Sequence, residues 1–313
     1  MTPALARQNN GNWHTARRWQ EFLAPVARVA VALEWQGERA DALIALHARR
    51  SAESIERFHA AHPQRPLALV LTGTDLYRDI ETDARAARML DVASHLVVLN
   101  EDGPSRLNPE QRTRTRVIVQ SAPRLVRTGK STATTDFVAV GHLRDEKDPL
   151  TMIRATLRLP RTAKARFFHI GDALDAEIAA AGREASERDP RYTWLGGLPH
   201  GEARRRIAIS DALVHASRME GGANVIIEAV RSAVPVLASR ISGNIGLLGA
   251  DYAGYFAVSD DAALAELMLR FIADKRFRAR LGAQCAARVE RFAPAAERGA
   301  VRRLVGDMLN SDG

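Results

Sequence analysis

A single cysteine, Cys285, stands among the 313 residues, so no internal disulfide can form and a reducing, cytoplasmic setting is expected. The chain has no run of about 18 apolar residues and no leader pattern, so neither a helical membrane span nor a signal peptide is expected. No two glycines are separated by one residue, which removes the G-x-G-x-x-G turn of NAD and FAD sites. T-G-K-S at 128–131 imitates the end of a phosphate-binding loop. Arg124 stands where that loop needs its first glycine, and the string reads as linker. There is no D-x-D, H-E-x-x-H or C-x-x-C pattern, so no metal and no organic cofactor are expected.

Lysine is also scarce. Of 45 basic residues only Lys130, Lys147, Lys164 and Lys275 are lysines, against 37 acids and a net charge of +8. The arginines are spread along the chain among acids, with no basic stripe interleaved by aromatics, so a nucleic-acid partner is not expected. They remain available for phosphate-bearing small ligands.

The length suits two domains. Short β-branched and aliphatic runs alternate with amphipathic stretches, the texture of parallel sheets wrapped by helices. The first series is Arg28 to Leu33, Ala42 to Leu46, Leu67 to Leu71, His95 to Leu99 and Val117 to Val119. Residues 121–136 are polar, carry Pro123 and Gly129 and read as an interdomain linker. A second series follows: Phe137 to Val140, Arg166 to Ile170, Tyr192 to Leu195, Ala212 to His215, Val234 to Ala238 and Tyr255 to Val258. The expected division is 1–125 on the acceptor side, 126–292 for the nucleotide sugar, and a terminal helix over 293–313 packing back on the first domain. Pro294 breaks the helical pattern between Lys275 and Leu309. At the start, N-N-G-N-W-H looks like the turn and helix that follow a first strand, yet M-T-P-A-L-A-R-Q is too short and too poor in β-formers to supply one. The first strand is therefore expected to be missing, with upstream residues belonging to the natural chain.

S-R-M-E-G-G-A-N-V-I-I-E-A, residues 217–229, follows the apolar run Ala212 to His215 and opens a helix that ends before Pro235. Amides at a helix start attract anions, and glycines at 221 and 222 would let a phosphate approach the backbone. Glu228, a turn further on, would reach a neutral diol such as a ribose, and Glu220 would lie on the other side. A capped helix with solvated glutamates would read the same by itself. F-V-A-V-G-H-L-R-D-E-K-D-P-L, residues 137–150, is a strand ending at Gly141, with Arg144 and Lys147 in the loop where cations would stabilise a departing diphosphate.

Together these stretches resemble the two-domain GT-B glycosyltransferases, in particular the large retaining, GT4-like family with an E-x7-E donor motif. V-G-H-L-R-D-E-K-D-P, R-Y-T-W-L-G-G-L-P-H and S-D-A-L-V-H-A-S-R-M-E-G-G carry the likeness through the second half. The resemblance implies two Rossmann-like doubly wound α/β domains facing a cleft, with the C-terminal helix returning to the first. It implies Glu228 on the ribose, Glu220 on the sugar hydroxyls, the amides of Gly221, Gly222, Ala223, Asn224 and Val225 on the diphosphate, and Arg144 and Lys147 on its charge. Gly11 and Asn12 are placed on the donor side as well. Many members carry arginine directly after the strand glycine. Here that residue is His142, and Arg144 is expected to substitute for the arginine.

In the first half, I-A-L-H-A-R-R-S-A-E-S-I puts His47, Arg49 and Arg50 at a strand end, and L-V-L-T-G-T-D-L-Y-R-D-I does the same with Thr72, Thr74, Asp75 and Arg78. Paired arginines beside a helix start suit an anion. With N-N-G-N-W-H-T-A-R-R-W, these strings look like the selenosugar synthases of selenoneine biosynthesis. That resemblance implies that selenophosphate is joined to the sugar of a UDP-sugar, typically UDP-N-acetylglucosamine. The expected catalytic residues are Glu220, Asp75, Arg144 and Lys147, Asp75 to orient a water or the acceptor. Selenophosphate is anionic and already nucleophilic, so it needs an arginine cradle more than a strong base. A conventional glycosyltransferase with a carbohydrate or other small-molecule acceptor, and a nucleotide-sugar epimerase, remain open. The expected partners are a UDP-sugar and selenophosphate, with no nucleic acid and no membrane.

Overall fold

The computed structural model describes residues 1–4, 11–126 and 133–310. The T-G-K-S string and part of the expected linker lie outside the described residues, as do residues 5–10 of the expected opening turn. The chain forms two compact units. One comprises Met1–Ser121, Glu220–Ala223 and Pro294–Gly313, and the other Ala122–Met219 and Asn224–Ala293.

In the first unit the order is α1 (Gly11–Leu23), β1 (Leu43–Leu46), α2 (Ala52–Ala61), β2 (Leu67–Leu71), a π-helical turn (Asp75–Asp79), α3 (Ile80–Thr82), α4 (Ala84–Val92), β3 (His95–Val98), α5 (Pro109–Thr113) and β4 (Thr115–Val117). The four strands make a parallel sheet in the order β1-β2-β3-β4. Side chains alternate faces along a strand, and β2 uses both. Leu67, Leu69 and Leu71 join Ile55, Phe58, Met89 and Leu90 on one side, while Ala68 and Val70 join Trp19, Leu23, Val301, Leu304 and Met308 on the other.

Arg28 to Leu33, expected as a strand, is not one. Among the described residues the one backbone bond it receives from a neighbouring segment is Thr2 N to Ala32 O at 3.0 Å, and one bond does not make a ladder. On the other side Met1 lies along β1, its amine donating to Ile44 O at 2.6 Å and its carbonyl accepting from Leu46 N at 3.1 Å. The strand expected over Val117 to Val119 is shifted back to Thr115–Val117.

The second unit continues with β5 (Thr135–Val140), α6 (Pro149–Arg158), β6 (Ala165–Ile170), α7 (Ala176–Arg188), β7 (Tyr192–Trp194), α8 (His200–Ile209), β8 (Ala212–His215), α9 (Asn224–Arg231), β9 (Val236–Ser239), α10 (Ser242–Leu248), β10 (Tyr255–Phe256), α11 (Asp261–Ala273) and α12 (Lys275–Ala286). Its six-stranded sheet runs β10-β9-β8-β5-β6-β7, every pair parallel. Counted from its own first strand, that is the doubly wound order 3-2-1-4-5-6. The order reverses between β5 and β8, so the loops leaving these two strands flank the crevice where such sheets bind ligands.

The last helix, α13 (Pro294–Asn310), starts at the proline expected to break the pattern and belongs to the first unit. A buried carboxylate fixes it there. Glu297 accepts from Arg18 Nε at 2.7 Å and Nη2 at 3.1 Å, from Trp19 Nε1 at 2.7 Å and from Ser121 Oγ at 2.6 Å. Among the described residues no helix is long and apolar enough to cross a membrane.

Candidate active site

The loop after β5 is built around two carboxylates and one arginine. Asp148, in left-handed backbone at φ 44° just before Pro149, is buried. Its Oδ2 accepts from Thr151 Oγ1 at 2.8 Å and Ser259 Oγ at 2.6 Å and pairs with Arg218 Nε at 3.3 Å. Arg218 also pairs with Asp145 through Nη1 at 2.7 Å, and its amide donates to Glu146 O at 2.9 Å. The loops after β5 and β8 are thereby clamped together at the switch point. Gly141, Lys147, His215 and Ser217 line one concavity there. Lys147 lays its stem over Gly141, where a Cβ would meet Lys147 Cδ at 3.4 Å, an ordinary van der Waals contact. Burial pushes the His142 imidazole below its ordinary pKa, with Asp172 opposing, so it is neutral near pH 7. Arg144 stands beside Glu146, Nε to Oε2 at 3.8 Å.

Glu228 sits in α9, a helix whose apolar residues Ile226, Ile227 and Ala229 are fully buried. Its own side chain is only 7% exposed, and a carboxylate so buried needs partners. His200 Nε2 lies 2.7 Å from Oε1 and Arg204 Nε 3.9 Å from the same oxygen. His200 and Arg204 are four apart on α8 and so share a face.

Residues 220–223 belong to the first unit. The space expected beside Gly221 and Gly222 for a phosphate is filled by protein. A Cβ on Gly221 would overlap the Thr72 carbonyl and stand 2.6 Å from Gly73 N. A Cβ on Gly222 would overlap Gln120 Oε1 and stand 2.9 Å from Leu99 Cβ. The two glycines are demanded by this close approach. Asn100, fully buried, donates through Nδ2 to Gly221 O at 2.7 Å and to Tyr77 OH at 3.0 Å, which fixes the turn next to Glu220. Gln120 in turn donates through Nε2 to Thr15 Oγ1, and Thr15 donates to Gly11 O at 2.8 Å, so the first turn of α1, with Gly11 and Asn12, is tied to the same place.

The expected acceptor residues cluster at the ends of β1 and β2. His47 is buried with φ 75°, an uncommon conformation for histidine that costs energy and marks a functional candidate. Its Nε2 meets Thr74 Oγ1 at 3.0 Å, and burial lowers its pKa against the pull of Asp75. Asp75 differs from expectation. It is fully enclosed, and its oxygens accept from the amides of Thr72 at 2.8 Å, Gly73 at 2.8 Å and Ala48 at 3.0 Å. A carboxylate engaged in this way ties the two strand ends together and has little capacity left for a water. Arg49 pairs with Asp83 at 3.1 Å and Arg78 with Asp79 at 3.1 Å. Arg50 forms no ion pair among the described residues.

Sequence reasoning missed Arg218, His200, Arg204, Asn100 and Gln120. The four-residue spacing of His200 and Arg204 was a visible signal. Asn100 and Gln120 gave none, since their roles depend on residues about a hundred positions away.

Residues 126–288, just over half of the chain, match the family described as glycosyl transferases group 1. Among solved structures, Anabaena Alr3699/HepE in complex with UDP-glucose matches at 17% identity and TM-score 0.69, over 85% of this chain and 79% of that one. Sucrose-phosphate synthase from Thermosynechococcus elongatus matches at 17% identity and TM-score 0.72, over 87% of this chain and 74% of that one. A UDP-forming α,α-trehalose-phosphate synthase from Burkholderia xenovorans matches at 11% identity and TM-score 0.68, over 86% and 74%. No curated protein matches. At these identities the likeness is one of fold, and the fold is GT-B.

Proposed function

The chain belongs to the glycosyl transferases group 1 family, and from that premise we propose that it is a selenosugar synthase. It joins selenophosphate to the sugar of a UDP-sugar, in the first place UDP-N-acetylglucosamine, and releases UDP. The observation that carries the donor half is the clamped switch point, where Lys147 and Arg144 leave β5 and the loop after β8 leads into the helix of Glu228. Solved relatives in fold are complexes with UDP and UDP-glucose, which supports the same donor class.

In this reading Glu228 takes the ribose, Glu220 the sugar hydroxyls, and the amides that open α9, from Ala223 to Val225, the diphosphate, with His142 a neutral neighbour. Selenium attacks the anomeric carbon, a carbon–selenium bond forms, and the bond to the diphosphate oxygen breaks with its electrons leaving on UDP. Arg144 and Lys147 offset the charge that develops there, and no metal is needed for that. Water then takes the phosphoryl group from selenium as inorganic phosphate, leaving the free selenosugar. On the acceptor side His47, Thr72, Thr74, Arg49, Arg50 and Arg78 hold the selenophosphate oxygens. Asp75 shapes their backbone and is a positioning residue.

The acceptor half rests on Arg50, His47 and Thr74 brought together at the ends of β1 and β2 and on the resemblance of these strings to selenosugar synthases. Incubation with UDP-N-acetylglucosamine, with and without selenophosphate, while UDP is followed, tests it. UDP release that depends on selenophosphate is expected. Release that ignores selenophosphate and responds to a carbohydrate acceptor would overturn it in favour of a conventional glycosyltransferase.

A further inference from the structure

The closest approaches to the Glu228 carboxylate fall on one oxygen. His200 Nε2 is 2.7 Å from Oε1, Arg204 Nε is 3.9 Å from Oε1, and no hydrogen bond to Oε2 occurs among the described residues. Arg204 donates through Nη2 to Pro123 O at 2.5 Å, and its Nε stays beyond hydrogen-bond distance of the carboxylate. His200 opens α8, is 43% exposed, and makes the shorter contact. A carboxylate held by one oxygen loses its torsional freedom and presents the other in a fixed direction, which lowers the ordering cost of a ligand bound there.

We propose that His200 is a specificity-determining residue, which by holding Oε1 of Glu228 directs Oε2 to the vicinal hydroxyls of the nucleotide and makes the site prefer a ribonucleotide over its 2′-deoxy counterpart. This rests on the UDP-sugar reading above, with Glu228 on the ribose. A hydroxyl donating to a charged acceptor discriminates strongly, because the analogue without it leaves a buried carboxylate unmatched. His200 acts through Glu228 and need not touch the ligand.

The test is calorimetric titration of the full chain with UDP and with 2′-deoxy-UDP. The unaltered chain should bind UDP more tightly by roughly ten- to a hundredfold, the range of one hydrogen bond to a charged group. Glu228→Ala should abolish that preference. His200→Ala should bring it to within about threefold, chiefly by weakening UDP, and His200→Gln, which keeps an N–H donor, should restore most of it. A His200→Ala chain that retains the full preference, or loses affinity for both nucleotides equally, would overturn the inference and leave the donor reading standing. Failure of the unaltered chain to bind UDP at all would overturn the donor reading itself.

Discussion

Arg49 and Arg50 are adjacent and equivalent by composition, yet their surroundings separate them. Arg49 is committed to Asp83 at 3.1 Å, with its side chain 59% exposed, whereas Arg50 has no ion-pair partner among the described residues. Under the proposed function, Arg50→Ala should raise the KM for selenophosphate by about tenfold or more, and Arg49→Ala should raise it less, with the KM for UDP-sugar unchanged in both. Steady-state kinetics with each substrate varied in turn decides this, and the opposite ranking would move the anion to Arg49. A second residue-scale test concerns Gly221. Any Cβ there runs into the Thr72 backbone, which cannot yield as a flexible side-chain end can. Gly221→Ala should destabilise the chain by about 2 kcal/mol or more, as overpacking a tight contact does, read as a lower urea midpoint.

Among the elements, α13 is held by its apolar face and by one buried carboxylate, Glu297. Its apolar face buries Val301, Leu304 and Met308, worth about 1.5–3 kcal/mol each. The cost of burying Glu297 is met by Arg18, Trp19 and Ser121 together. Removing the carboxylate leaves a half-buried guanidinium, a buried indole N–H and a hydroxyl without their acceptor. Glu297→Ala should therefore cost about 3–5 kcal/mol, the usual price of breaking a buried pair, and hydrogen exchange should show α13 and α1 losing protection first. Uniform loss of protection across both units would instead mean that α13 is no separate weak point.

For the whole molecule, pH enters through a buried histidine in the second unit. His169, on β6, is fully enclosed with Nδ1 2.9 Å from Tyr192 OH, and burial pushes its pKa from 6.5 down to about 4. The unfolded chain then binds a proton that the folded chain refuses, so stability is intact above about pH 6.5, falls as pH drops toward about 4, and levels off below. The loss across that window is about 3 kcal/mol. Urea denaturation at pH 7 and pH 4.5 should show it, and His169→Gln, which cannot titrate, should flatten the slope. An unchanged slope would place the acid sensitivity in other groups.

The sequence by itself determined the elements that local chemistry controls. Ten of the eleven apolar runs became the ten strands within a residue or two, and Pro294 opened α13 where it was expected to break the pattern. The spacing of Glu220 and Glu228, with Gly141, Arg144 and Lys147, marked the loops that flank the switch point. Tertiary structure decided what no local pattern carries. It left Arg28 to Leu33 out of the sheet, with one backbone bond from a neighbouring segment among the described residues, and enclosed Asp75 among three amides. It also set Gly221 and Gly222 against Thr72, Gly73 and Gln120, and gave Glu228 to His200. Propensity and periodicity act between neighbours in the chain, whereas those four outcomes depend on which distant backbone or side chain arrives first at a donor, an acceptor or a volume.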